Sequence, residues 1–256
     1  KLHGAVVDHV GHENTRVFRD VTEVGAMLEG MDAVIGTTTR PDVAVIFDTE
    51  NRWAIDDLQG LIREDKGYVQ TSIAHYKALW KRGIPADVID MDQPLDGYRL
   101  VIAPMLYMVR PGVAERITRF VEQGGTFVAT YWSGVVDEND LCFLTGFPGP
   151  LRELLGIWAE EIDTLYPTDE NSLVPNAGNA LGLSSQYKIR DLCELIHAER
   201  AQVLATYGED FYAGRPTLTV NQYGQGQAYY VAARTEQAFL DDFYGALTAQ
   251  IGVRPV

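Results

Sequence analysis

Four short strand-like segments limit the architectures open to this chain. Val43–Phe47 (VAVIF), Ala86–Met91, Leu100–Ala103 and Thr126–Thr130 are each about a strand long and are bounded by turn-forming or charged residues. Val43–Phe47 is apolar without alternation, the pattern of a strand covered on both faces in a parallel sheet. An amphipathic helix over Val69–Arg82 (Ile73, Tyr76, Leu79 and Trp80 apolar) follows the first run, and Gly83 stands where it should end. A further helix is predicted over 111–122, with Pro111 suited to its first turn and Gly124-Gly125 closing it. Right-handed crossovers between such units give an α/β fold, a doubly wound, mostly parallel sheet with helices on both faces.

On either side of this region the pattern changes. Asn14 or Thr15 can cap a helix running to about Met31, with Val17, Phe18, Val21, Val24, Met27 and Leu28 on one side. The polar linker Gly36–Pro41 separates this N-terminal helical arm from the rest, which divides the chain into 1–40 and 41–256. Asp48–Lys66 reads as an acidic connection whose Trp53 and Leu58 fold over the sheet. After Pro150 the rhythm weakens: a short helix over Leu151–Leu155, then a mostly irregular stretch to 182. Strands are predicted at Tyr187–Ile189, Ala201–Thr206, Thr217–Gln222 and Gln227–Ala232. The last two form an added β-hairpin turning at Tyr223-Gly224-Gln225-Gly226, and a helix over Glu236–Ile251 closes the chain.

The net charge of −15 argues against a phosphate-backbone partner, so no nucleic acid is expected. Two cysteines, Cys142 and Cys193, are too few for a disulfide framework and have no metal-ligand spacing. With no signal-like N-terminus and no long apolar run, the chain reads as cytoplasmic, with no membrane partner. It opens on Lys1 rather than methionine and reads as a piece of something longer.

The stretch 126–150 is where function is expected. Ligands in open α/β sheets bind beyond the carboxyl ends of the strands, and a twenty-residue loop at such a place usually has a job. It carries Tyr131, Trp132, Phe143 and Phe147 with the acids Asp137, Glu138 and Asp140. The element order resembles the flavodoxin-like fold of class I glutamine amidotransferases. That chemistry needs a cysteine on the tight turn after the fourth strand and a histidine to deprotonate it. The turn holds Tyr131-Trp132-Ser133-Gly134 instead, Cys142 lies too far on, and His75 and His197 are the histidines within the domain. Ser133 lacks the leading glycine of a G-x-S-x-G elbow. The acids suit backbone capping better than calcium, for which the loop glycine and spacing are missing. His3, His9 and His12 could group around a metal, but no cysteine or carboxylate completes a ligand set, so no metal and no cofactor are expected.

The opening KLHGAVVDHVGHENTRVFRDV resembles the segment after the catalytic barrel of glycoside hydrolase family 42 β-galactosidases, and SGVVDEND followed by GPLRELLG is a long, specific match. The resemblance covers essentially the whole chain. It implies that 1–40 is the tail of the barrel domain and 41–256 the trimerisation domain, whose partner is itself in a homotrimer. A retaining glycosidase needs two carboxylates about 5–5.5 Å apart across the bond it cleaves. The family's acid/base glutamate follows an asparagine, and this sequence has no Asn-Glu dipeptide, nor room for a barrel of about 250 residues. By the match His3 is the sugar-contacting histidine, idle without its barrel, and a galactoside would be met only through that barrel. Thr49 and Arg52 stand where the family often has tryptophans. The 131–150 loop is rich in aromatics and has no lysine, the composition of an interface core, so Tyr131, Trp132, Phe143 and Phe147, together with Trp53, are expected near subunit contacts. The alternatives are that these rings fill the domain's own core, or that the chain is a stand-alone amidotransferase-like protein acting on a small molecule.

Overall fold

The computed structural model describes residues 6–60 and 66–256. The chain divides into two units, Lys1–Arg40 and Pro41–Val256. In the first, α1 (Arg16–Glu29) is capped by Thr15, whose Oγ1 accepts the Phe18 N–H at 3.1 Å. None of its residues is buried, and Val17, Val21, Val24 and Leu28 leave an apolar stripe exposed along one side. His9 and His12 are also exposed, whereas His3 lies outside the described residues.

The second unit follows the predicted alternation. In chain order come β1 (Val43–Ile46), α2 (Thr49–Asp57), α3 (Tyr68–Trp80), β2 (Ala86–Ile89), β3 (Leu100–Ala103), α4 (Val113–Glu122), β4 (Thr126–Thr130) and α5 (Arg152–Leu155). Then come β5 (Ile157–Thr164), β6 (Asn171–Pro175), β7 (Tyr187–Ala198), β8 (Gln202–Tyr207), β9 (Pro216–Tyr223), β10 (Gly226–Val231), β11 (Ala233–Thr235) and α6 (Gln237–Gln250). One eleven-stranded sheet contains all of these strands, in the order β11-β7-β6-β8-β9-β10-β4-β3-β1-β2, with β5 also on β7. The run from β2 to β10 is parallel; beyond it the pairing is antiparallel.

Each central strand sends alternate residues to opposite faces. Val43, Val45, Leu100, Ile102, Val128, Tyr229 and Val231 pack on the side of α3 and α6. Ala44, Ile46, Val101, Ala103, Phe127, Ala129, Ala228 and Tyr230 pack on the side of α4 and α5. Both faces are covered, which is why these strands read as unbroken apolar runs.

Two sequence expectations need correction. The stretch 156–182 is not irregular, because β5 and β6 lie in it. A bulge between Ala159 and Glu161 breaks the alternation of β5, and β6 (NSLVP) is short, polar at its start and ends on Pro175, so neither carries a clean period. The connection after β1 is also structured. Asp48 accepts the Asn51 N–H at 2.8 Å and starts α2, which turns Trp53 outward, 64% exposed, rather than over the sheet. Leu58 does pack inward.

Candidate functional site

The carboxyl ends of β1, β3, β4 and β10 converge on a third apolar cluster: Ile55, Tyr68, Met105, Tyr107, Met108, Tyr131, Trp132, Val135 and Val136. Directly after β4, Trp132 takes φ +59°, the left-handed conformation that a bulky residue adopts only where its surroundings hold it. Ser133 braces this elbow, its Oγ donating to the Thr130 carbonyl at 2.6 Å and accepting the Leu106 N–H at 3.2 Å. Gly134 follows at φ +63°, where a Cβ would lie 2.1 Å from the Pro148 carbonyl oxygen, so the loop's start and end touch. The residue on the elbow is thus an indole. Tyr131 and Trp132 are 2% and 1% exposed, Trp132 lying near Tyr107, so these rings fill the chain's own core and offer a neighbour almost no surface. Phe143 and Phe147 are half-buried against the sheet, and of the five aromatics Trp53 alone is exposed.

Beneath the elbow lies a carboxylate that the sequence reading passed over. Glu194 of β7 is buried; its Oε1 accepts the Trp132 N–H at 2.7 Å and its Oε2 the Tyr230 hydroxyl at 2.6 Å. Burial pushes this carboxyl up to about 7, against the lowering effect of those two hydrogen bonds. Folding therefore takes up a proton between the ordinary carboxylate range and neutrality. The stability gained from the neutral form is present on the acid side and lost as pH rises through about 7, by about 3 kcal/mol in full. Glu194→Gln copies the neutral form, so it is expected to flatten this slope and to be more stable than the native chain at alkaline pH. Denaturant melts of both chains across pH check this, and parallel stability curves would refute it.

Two arginines close the crest. Arg110 donates to Asp48 at 2.7 Å, Glu50 at 2.7 Å, Asp90 at 3.0 Å and Asp92 at 2.9 Å. Burial alone would raise Asp48, but hydrogen bonds with Asp90, the Asn51 N–H and Arg110 hold it below the usual carboxylate range. Asp90 is pushed up, by desolvation and by its neighbour Asp48. Arg234 donates Nε to the Tyr131 hydroxyl at 2.8 Å and Nη1 to Asp191 at 3.1 Å, beside a cavity of about 310 Å³.

The cysteines and the two histidines of the second unit lie apart from the elbow in separate surroundings. Cys142 is exposed, and Cys193 is buried with its thiol pushed up to about 12 by desolvation. His75 is pushed down to about 3 by burial and bound to the Tyr244 hydroxyl at 2.6 Å, while His197 meets Glu160. Asp137 caps its own loop, accepting the Asn139 and Leu141 N–H groups at 2.8 and 3.1 Å. Among the described residues no group of three or more His, Cys, Asp and Glu side chains could hold a metal, and no helix is long and apolar enough to cross a membrane.

Comparison with known proteins decides the family. Residues 41–254 match the β-galactosidase trimerisation domain of glycoside hydrolase family 42. The chain belongs to this family. It is 59% identical over 254 residues to β-galactosidase Pbg of Clostridium perfringens and 59% identical over 253 residues to β-galactosidase BglY of Alicyclobacillus acidocaldarius, covering 99% of this chain and 37% of each relative. The solved β-galactosidase of Rahnella sp. R3 superposes with a TM-score of 0.90 at 58% identity, over 98% of this chain and 37% of that one. That of Bacillus circulans sp. alkalophilus gives 0.91 at 47% identity, over 99% and 38%. This member of the trimerisation domain family thus spans little more than a third of the length of those relatives.

Proposed function

We propose that this chain is the assembly module of a β-galactosidase, holding three copies together while hydrolysis of terminal β-galactosyl residues is carried out by a part of the parent protein outside this sequence. The observation that carries the reading is the elbow after β4. In an amidotransferase-like fold this is the nucleophile's position, and here a buried tryptophan is wedged into it. A fold can persist when its chemistry is gone. Residues 1–40 fit the tail of the catalytic domain, because the uncovered stripe of α1 suits a helix that packs on a larger body. Under this reading His3 contacts sugar only within that body, and the parent is a cytoplasmic, retaining enzyme.

For the trimer contact, the exposed rim favours Trp53, with the loop residues Leu141 and Leu144 (63% and wholly exposed) and the half-buried Phe143 and Phe147, over Tyr131 and Trp132. A cyclic trimer needs two different patches that close after three copies, and exposed aromatic and aliphatic side chains are the natural anchors of one of them. The double variant W53E/L144E is expected to lower the mass measured by light scattering from trimer to monomer. Its melting temperature should stay close to that of an unassembled native chain, since both side chains already face solvent. A trimer that survives the pair of charges would refute this placement. The chain by itself is expected to turn over neither a chromogenic β-galactoside nor glutamine, and turnover of either would overturn the reading.

A further inference from the structure

We propose that a cleft at the amino-terminal end of the parallel strands binds a neutral oligosaccharide. This lies beyond the assembly role and stands or falls independently of it. The cleft, about 940 Å³, opens between the β2–β3 connection, α4, the β9–β10 turn and the end of α6, at the opposite end of the sheet from the elbow. Its volume is at the upper end of ligand pockets, about 300–1,000 Å³, which suits linked sugar rings better than one small metabolite.

Glycine builds its walls. A Cβ on Gly226 would lie 2.2 Å from the Gly125 carbonyl oxygen, and one on Gly125 would lie 2.4 Å from the ring of Phe120. Bare backbone therefore lets the β9–β10 turn settle on the end of α4. The Gln225 N–H donates to the Glu122 carbonyl at 3.0 Å and ties the two together. Gln123 and Gln225 are thereby held beside each other in the lining. On the β2–β3 side, Tyr98 is fixed through its hydroxyl, which donates to Asp87 at 2.8 Å, and its half-buried ring faces the cleft. Arg99 clamps the end of α6, next to Gln250, by donating to the Ile251 and Gly252 carbonyls.

The unengaged groups of the lining select the ligand. Five of the chain's eleven glutamines line the cleft: Gln123, Gln222, Gln225, Gln227 and Gln250. Gln222 donates to Gln227 at 3.3 Å, but the side chains of Gln123 and Gln225 have no hydrogen bond among the described residues. An amide offers donors and an acceptor side by side, which matches neighbouring hydroxyls, each of them donor and acceptor at once. Charge points the same way. Arg116 and Asp92 pair at 3.0 Å, and Arg99 is turned to backbone carbonyls. Arg119 and Asp96 remain, one charge of each sign, with no side-chain partner among the described residues. An anion could use only the first and a cation only the second, and a free amino acid would leave the amides and most of the volume unfilled. An oligosaccharide hydrogen-bonds to both charges and to the amides, and its apolar C–H faces pack on the ring of Tyr98.

Calorimetric titration of the full chain separates these cases. Lactose, β-1,4-galactobiose, cellobiose and maltose are compared with inorganic phosphate, spermidine and glycine. Saturable heat is expected with at least one disaccharide at millimolar concentration, and affinity about tenfold weaker or worse for the three charged probes. The double variant Q123A/Q225A is expected to weaken disaccharide binding by about tenfold or more. Its melting temperature should not change, because both side chains are exposed and hold no other part of the chain. Silence with all four disaccharides would overturn the proposal. So would equal binding of phosphate, spermidine or glycine, or native affinity in Q123A/Q225A. The choice of galactosyl probes rests on the proposed parent enzyme; a preference for cellobiose or maltose would uphold the saccharide site and remove its link to that parent. The comparison of sugars with charged probes needs no variant, so the test holds even if the substitutions impair folding. Light scattering on the same samples reads assembly separately.

Discussion

Arg110→Met is expected to destabilise the domain by about 3–5 kcal/mol at neutral pH, the scale for removing one partner of a buried ion pair. Asp48 is wholly inaccessible, and Arg110 is only 14% exposed. Methionine is close to arginine in length, so little cavity forms, and the loss comes from stranding the carboxylate that caps α2. Surface pairs such as Lys188–Glu170 stand in contrast, since solvent screens them and little is lost when one is broken. The pH dependence has a definite sign. The lowered carboxyl of Asp48 contributes stability that is present above the ordinary carboxylate range and is lost as pH falls through its folded value. In the variant Asp48 has lost its cation and its carboxyl rises, so the gap between native and variant chains narrows on acidification. The double variant D48N/R110M should recover most of the loss, because the amide needs no counter-ion. Urea melts at neutral and acid pH measure all three. A loss below about 1 kcal/mol for Arg110→Met at neutral pH would show that the four carboxylates do not depend on this cation.

The α/β half of the fold was legible because burial on two faces leaves strands of uninterrupted apolar residues, and Val43–Ile46, Leu100–Ala103 and Thr126–Thr130 lie where those runs lie. Thr15 as the cap of α1 was equally readable, since a hydroxyl before an apolar stripe has a local cause. β5 and β6 were not, because their pairing partner β7 begins more than ten residues beyond β6 and bulges blur the period. The candidate site shows the same divide. That the 131–150 stretch matters could be read from its place after a strand and from its composition. Which rings face outward could not, because exposure depends on the helix that Asp48 starts and on the contact of Gly134 with Pro148. Arg110, Glu194 and Arg234 are partners of residues distant in sequence. One signal did exist: Glu194 interrupts the run LCELI, and Arg110 ends the apolar stretch MLYMV. A lone charge within such a run marks a buried polar contact, and it carried more information than the acids of the exposed loop.

Trp132→Ala should lower stability by about 3–5 kcal/mol, the range for truncating a large buried aromatic, while leaving assembly unchanged. The indole is 1% exposed and sits in the crest cluster with Tyr107 and Val135, so its removal empties the centre of that cluster rather than a contact with another chain. Two further substitutions divide the loss into parts. Glycine leaves a cavity larger by only a methyl group, but it relieves the left-handed φ of +59°, a strain of roughly 1–2 kcal/mol for a residue with a Cβ. Trp132→Gly should therefore be at least as stable as Trp132→Ala, the reverse of the usual order. Phenylalanine keeps most of the ring and removes the buried indole N–H, which has no acceptor among the described residues. An unsatisfied donor of that kind costs about 1–3 kcal/mol, so Trp132→Phe should lose far less than alanine does. Thermal melts and light scattering on the three variants test both halves of the argument. If Trp132→Ala instead dissociated the assembly at native melting temperature, the ring would belong to the interface, and the elbow would hold copies together directly rather than by shaping the surface that does.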